Sequence, residues 1–153
     1  MITQTHIISS PVGNLGITVK NYKLIRLDLF ANSAQYKIPE SLYCQHVTAE
    51  LAAYFLNPQH TFSLDLELTG SEFQQTVWWT LRNIRPGETV TYGDLARKLN
   101  TSARAIGQAC RTNPIPIIVP CHRVIGAHSA GGYVGQTSGY LHDIKKFLLA
   151  HEK

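Results

Sequence analysis

The chain has 153 residues, enough to bury a substantial core as one domain or two small lobes and too few for a third unit. With 44% hydrophobic and 16% charged residues it reads as globular, and no run approaches the roughly 18 apolar residues that a membrane span requires. The net charge of +4 is uneven: residues 1–70 carry four basic and five acidic side chains, residues 71–153 ten and five. The second part is therefore the cationic one, which suits a polyanionic partner, although an excess of this size also fits a solvated surface.

Met1-Ile2-Thr3-Gln4-Thr5-His6 lacks the basic-then-apolar layout of a signal peptide, so a cytoplasmic protein is expected. Cys44, Cys110 and Cys121 form an odd set, which predicts reduced thiols rather than a disulfide framework. Cys44-x-His46 and Cys121-His122 are the close Cys/His pairs, and neither has a second pair at finger-like separation. No metal is expected.

In chain order, Thr5–Ile8, Leu15–Val19 and Leu24–Leu29 read as strands of a small antiparallel sheet, with Lys20-Asn21-Tyr22-Lys23 as a hairpin connection. A polar stretch ending at Pro39 and Glu40 is a loop. Ser41 then caps a helix over Leu42–Leu56, which Asn57-Pro58 stops. Leu51, Tyr54 and Phe55 have core spacing within it. Strict alternation over Phe62–Leu68 predicts another strand, and Thr69-Gly70 breaks the chain at a lobe boundary. His6, His46 and His60 read as surface or satisfied histidines.

The second lobe opens with Ser71-Glu72-Phe73-Gln74, a capping box before a helix in which Phe73, Val77, Trp78, Leu81 and Ile84 recur at helical spacing. Arg85-Pro86-Gly87 ends it. Thr91–Leu99 is a short helix, Asn100-Thr101-Ser102 a turn with a cap, and Ala103–Thr112 a further helix, the layout of a helix-turn-helix. At about 100° per residue, Ala103, Arg104, Gly107, Gln108 and Arg111 share one face of that helix, opposite Ile106, Ala109, Cys110 and Asn113. The first face is basic and nearly flat, so the backbone can approach a surface while Arg104 and Arg111 reach phosphates or a base stack. From the helix alone, a solvated basic face accounts for the same pattern.

The richest stretch is Asn113-Pro114-Ile115-Pro116-Ile117-Ile118-Val119-Pro120-Cys121-His122-Arg123-Val124. Its prolines fix φ and remove donors, and Ile117-Ile118-Val119 suits a short buried strand. A cysteine beside histidine and arginine is expected to have a pKa below the free value of about 8.5, which makes Cys121 a candidate nucleophile. An inert buried thiol is the alternative. The glycine-rich run after Val124 reads as a loop that approaches something closely, and Tyr140–His151 as a last helix with Leu141, Ile144, Leu148 and Leu149 inward and Lys145-Lys146 outward.

Asn113-Pro-x-Pro, three apolar residues and Pro120-Cys121-His122-Arg123-Val124 resemble the active-site signature of the O6-alkylguanine-DNA alkyltransferases, and further matches run in the family's order through most of residues 71–152. The resemblance implies single-turnover transfer of an alkyl group from guanine O6, and also thymine O4, in double-stranded DNA to Cys121, by a monomer without a cofactor. It implies that His122 takes the thiol proton through a water, that Glu152 holds the far ring nitrogen, that Tyr92 donates to guanine N3 and that Asn113 organises the turn. It further implies that Arg104 fills the base stack once the damaged nucleotide has rotated out, with Ala103, Gly107, Gln108, Arg111 and Thr91 along the DNA. The carbonyls of Cys121 and Val124 and the N–H of Val134 read the base, and Pro116, Tyr133 and Gly135 line the pocket.

Two departures stand beside these matches. The chain between Gly135 and Leu148 is longer than the family's pattern, and Cys110 occupies a methionine-like position. The expected fold is α+β: a sheet-plus-helix lobe over 1–70, then a mostly helical lobe over 71–153 carrying DNA binding and alkyl transfer. Two other functions remain open at this point, a module that binds alkylguanine without repairing it and a turnover Cys-His hydrolase.

Overall fold

The computed structural model describes residues 3–29, 41–127, 131 and 139–153. It divides into two compact units, Met1–Thr69 and Gly70–Lys153. The class is α+β.

In the first unit β1 (Gln4–Ile8), β2 (Leu15–Lys20) and β3 (Lys23–Asp28) form an antiparallel sheet in that order. Asn21 and Tyr22 both have positive φ, 53° and 59°, which matches the turn hand to the right-handed twist of the flanking strands. Between Thr18 and Val19 the register shifts, because β3 carries the extra residue Ile25 there and bulges against β2. The helix α1 (Leu42–Leu56) begins where Ser41 accepts from the N–H of Cys44, and it packs against β2. Its buried residues Cys44, Val47, Leu51 and Tyr54 recur every three or four positions and face the core with Leu15, Ile17 and Leu24.

The expected strand over Phe62–Leu68 is not a strand. Its exposure alternates as predicted, but it joins the sheet only through a bridge between Leu24 and Leu66. The reason lies in α1, whose side chains take the backbone groups a ladder needs: Glu50 accepts from the N–H of Ser63, Tyr43 oxygen accepts from the N–H of Asp65 at 3.1 Å, and His46 bonds the Ser63 carbonyl at 2.9 Å. Helix α1 satisfies the segment that a neighbouring strand was expected to satisfy.

In the second unit, α2 (Glu72–Leu81) starts at a full capping box: Ser71 oxygen accepts from the N–H of Gln74 at 3.1 Å, and Gln74 oxygen from that of Ser71 at 2.8 Å. A Cβ on Gly70 would lie 2.7 Å from the Trp78 ring, so the chain can enter this helix only through glycine. Val77, Trp78 and Leu81 are buried, whereas Phe73 keeps 38% of its surface and Ile84 falls beyond the helix end. β4 (Val90–Thr91) leads directly into α3 (Tyr92–Lys98), where Thr91 oxygen accepts from the N–H of Asp94. A turn with Asn100 at φ 55° leads to α4 (Ala103–Arg111), capped by Ser102.

Helix α4 is braced from behind. Trp78 Nε1 donates to the Ala109 carbonyl at 2.8 Å, and Gln74 Nε2 donates to Thr112 Oγ1 at 3.0 Å. A 3₁₀ turn (Cys121–Arg123) and β5 (Val124–Ile125) follow, and β5 pairs in parallel with β4. The unit closes with α5 (Tyr140–His151). Among the described residues no helix is long and apolar enough to cross a membrane.

Candidate active site

The site is built from the end of α4 outward. Asn113 is buried, and its side chain spans the following loop: Oδ1 accepts from the N–H of Ile115 at 2.9 Å, and Nδ2 donates to the Val119 carbonyl at 2.8 Å. With the N–H of Val119 also bonded to the Ile115 carbonyl, residues 115–119 form a closed turn. The expected strand at Ile117–Val119 is therefore absent, although those residues are buried as predicted. Prolines at 114, 116 and 120 deny a ladder its donors, and Ile117 is driven to φ 75°. A β-branched residue there costs on the order of 1–3 kcal/mol, held by the Asn113 bonds on both sides.

Pro120 then sets the cysteine. Its φ of −82° and ψ of 65°, with the N–H of Cys121 bonded to the Val119 carbonyl at 2.8 Å, make an inverse γ-turn, which a proline is preset to enter. Cys121 is 3% exposed. Burial pushes its thiol up to about 11, against a hydrogen bond from the Asn113 side chain and the charge of Lys145, which pull it down. This corrects the expected lowered pKa. The arginine beside the thiol in sequence does not serve it, because Arg123 points to Glu152 and to the Ile84 carbonyl.

The two residues after Cys121 belong to a buried polar group of three. His122 Nε2 and Glu152 Oε2 are 2.7 Å apart, and Arg123 grips the same carboxylate through Nε at 2.8 Å and Nη2 at 2.9 Å. Glu152 is 2% exposed although it is next to the last residue, because both partners hold it at the end of α5. An ionised carboxylate only accepts, so Nε2 carries the imidazole proton and Nδ1 keeps its lone pair. Burial is the main cause that lowers the His122 pKa, with Glu152 opposing, so the ring is neutral and Nδ1 is a base. Nδ1 is buried with no hydrogen-bond partner among the described protein atoms.

The short β4–β5 pair fastens the other wall, with Val90 opposite Val124 and Thr91 opposite Ile125. It ties Tyr92, the first residue of α3, to the strand that leaves the Cys-His-Arg turn. Burial raises the Tyr92 pKa, so its hydroxyl remains a donor. Gly131 lies against that ring: at φ 76°, a Cβ there would be 2.9 Å from Tyr92 Cε2. Pro116 is buried in the turn, and Cys110 is buried at the inner face of α4. Tyr133, Val134 and Gly135 lie outside the described residues.

On the opposite face of α4, Ala103, Arg104, Gln108 and Arg111 are exposed and Gly107 is half-buried. Nothing lies within 4 Å of where a Gly107 Cβ would stand. This flat face needs no glycine for packing inside the chain.

The family model described as 6-O-methylguanine DNA methyltransferase, DNA binding domain, matches residues 72–153. A methylated-DNA–protein-cysteine methyltransferase of Methanosarcina mazei is 40% identical over 155 residues, covering 97% of this chain and 96% of the relative. The chain belongs to the methylated-DNA–protein-cysteine methyltransferases. Among solved structures, a Mycobacterium tuberculosis O6-methylguanine methyltransferase superposes with a TM-score of 0.84 at 35% identity, over 99% of this chain and 93% of that one. The same organism's OGT in complex with DNA gives 0.81 at 35%, over 97% and 92%.

In this methyltransferase His6, read as a surface or satisfied histidine, is buried with its Nδ1 lacking a hydrogen-bond partner among the described residues, and a second side chain is misplaced at the site itself. Lys145, expected to point outward, is fully buried, and its Nζ donates to the Val124 carbonyl at 2.7 Å and lies 5.7 Å from the Tyr92 ring centroid. The signal was present, since Leu141, Lys145, Leu148 and Glu152 follow the spacing of a single helix stripe that ends on a buried carboxylate. Counting charge as outward concealed it. The Arg123–Glu152 bond had no such signal, because the two lie 29 residues apart in the chain.

Proposed function

We propose that this protein repairs DNA by moving an alkyl group from O6 of guanine in a duplex to Cys121 Sγ, once per molecule, acting as a cytoplasmic monomer. The observation that carries the reading is a buried cysteine on a fixed turn, followed in the chain by a histidine that a buried carboxylate holds, in the unit that also bears a flat basic helix.

The exposed face of α4 meets the minor groove, where small side chains permit close contact and sequence readout is poor. A base inside the stack cannot reach a buried sulfur, so the damaged nucleotide rotates out, and Arg104 occupies the gap. Ala103, Gly107, Gln108, Arg111 and Thr91 line the duplex. The base enters beside Tyr92 and the Pro116 turn, and Tyr133, Val134 and Gly135, outside the described residues, are its further proposed contacts.

Because burial raises the thiol pKa, ionisation has to be driven within the complex. Neutral His122 takes the Cys121 proton at Nδ1 through a water, while Glu152 stabilises the imidazolium that forms. The thiolate attacks the alkyl carbon opposite the C–O bond. A C–S bond forms, and the C–O electron pair returns to guanine, which the Tyr92 hydroxyl protonates at N3 as charge develops. The resulting thioether is not hydrolysed under mild conditions, so the protein is consumed. Thymine alkylated at O4 presents the same leaving-group chemistry and is a second substrate.

A duplex containing O6-methylguanine is expected to deliver one methyl group per molecule to the peptide bearing Cys121, read by mass spectrometry. Label on Cys44 or Cys110, or several turnovers per molecule, would overturn the reading.

A further inference from the structure

Among the described residues Lys145 is the largest fully buried charged side chain, and the mechanism above leaves it without a task. An ammonium in a protein interior is expensive, and core packing does not demand one, since methionine fills a comparable volume. Its surroundings are those of the site: Tyr92 from α3, Cys110 from α4, and Cys121 and His122 from the 3₁₀ turn all interact electrostatically with it. Its hydrogen bond goes to the main-chain carbonyl of Val124.

The chemistry of the lesion says what that carbonyl can recognise. Guanine alkylated at O6 has no proton on N1, so the donor left on its pairing edge is the 2-amino group. A carbonyl oxygen offers two lone-pair directions near its own plane. With one direction occupied by Lys145 Nζ at 2.7 Å, the other is fixed in orientation. The parallel pairing of β5 to β4 holds the rest of that peptide against the element bearing Tyr92. We propose that Lys145 is a specificity-determining positioning residue, which orients the Val124 carbonyl so that its remaining lone pair accepts from the 2-amino group of the rotated-out guanine. This rests on the reading above that Val124 faces the base edge. It also supplies a reason for preference, since alkylated thymine has no such amino group and leaves the oriented carbonyl unmatched.

The test compares two duplexes, one with O6-methylguanine and one with O6-methylhypoxanthine, which differ only in the 2-amino group. Single-turnover methyl transfer is measured for the wild type, Lys145→Met and Lys145→Gln; glutamine keeps an N–H donor without the charge. Alkylation of Cys121 by iodoacetamide reports thiol reactivity separately.

The wild type is expected to prefer methylguanine about tenfold or more. Lys145→Met brings the two rates together, whereas Lys145→Gln retains the preference even where iodoacetamide reports a less reactive thiol. If Lys145→Met slows both substrates by the same factor, the residue acts through the thiol or through packing, and the proposal is overturned. Loss of the preference in Lys145→Gln likewise overturns it. If the wild type itself does not distinguish the two bases, the assignment of Val124 to the base edge fails instead, and the inference falls with it. Should Lys145→Met not give the wild-type circular dichroism spectrum, Lys145→Leu takes its place.

Discussion

At the scale of single residues, the site depends on side chains that each satisfy several buried groups. Asn113 serves the Ile115 N–H and the Val119 carbonyl at once. Asn113→Ala leaves both unsatisfied, each costing about 1–3 kcal/mol, and releases the strained Ile117. The expected result is a loss on the order of 3 kcal/mol in urea unfolding together with slow transfer; a variant as stable as the wild type would remove Asn113 from its organising role. Glu152→Gln strands the Arg123 guanidinium in the interior, so a loss of similar size is expected, about 3 kcal/mol. Cys121→Ser leaves stability nearly unchanged but ends transfer.

Lys145 gives a pH signature with a defined sign. Burial lowers its pKa from 10.5 to about 8, against the opposing influence of Cys121 and Cys110. Below about pH 8 the amine is charged in both the folded and the unfolded chain, and its desolvation weighs fully against folding. Between about 8 and 10.5 only the unfolded chain holds the proton, and the penalty fades. The wild type is therefore expected to gain stability relative to Lys145→Met as pH rises from 7 past 9. Denaturant melts at stepped pH check this, and a gap that does not move with pH refutes it.

At the scale of elements, α4 carries one face in the core and one exposed face, the one proposed to meet the duplex. Ile106, Ala109 and Cys110 are buried, with Trp78 and Gln74 bracing the far end. Gly107 separates the two duties. A Cβ there meets nothing in the chain, so Gly107→Ala is expected to stabilise the helix by about 0.5–1 kcal/mol. A larger side chain, as in Gly107→Leu, keeps that stability while weakening duplex binding, because it holds the helix off the groove. Unfolding and DNA titration on the same variants separate these effects, and undiminished binding by Gly107→Leu would place the duplex on another face.

At the scale of the whole molecule, the excess of positive charge lies in the second unit, which holds ten of the fourteen basic side chains. Exposed Arg104 and Arg111 occupy the same face of α4. Removing a phosphate contact at Arg111 is expected to reduce the slope of log affinity against log salt by about one. Arg104→Ala is expected to slow repair of duplex far more than repair of a single strand, since filling the stack matters only in a duplex. Equal losses on both substrates would reduce it to a simple phosphate contact.

What the sequence determined by itself was local in origin. The caps at Ser41, Ser71 and Ser102, the periodic faces of α1 and α4, the hairpin at Asn21 and Tyr22, and the proline-framed Cys121-His122 string depend on neighbours within a few positions, and each was legible. Tertiary structure decided the rest. Phe62–Leu68 alternates like a strand, yet α1 claimed its backbone groups. Arg123 stands beside Cys121 in sequence, yet serves a carboxylate on α5. Lys145 has the charge of a surface residue, yet lies inside because a carbonyl from β5 receives it there. In each case the deciding partner is distant along the chain, and for Arg123 and Lys145 burial in a low-dielectric interior makes that partner's hydrogen bond outweigh local preference.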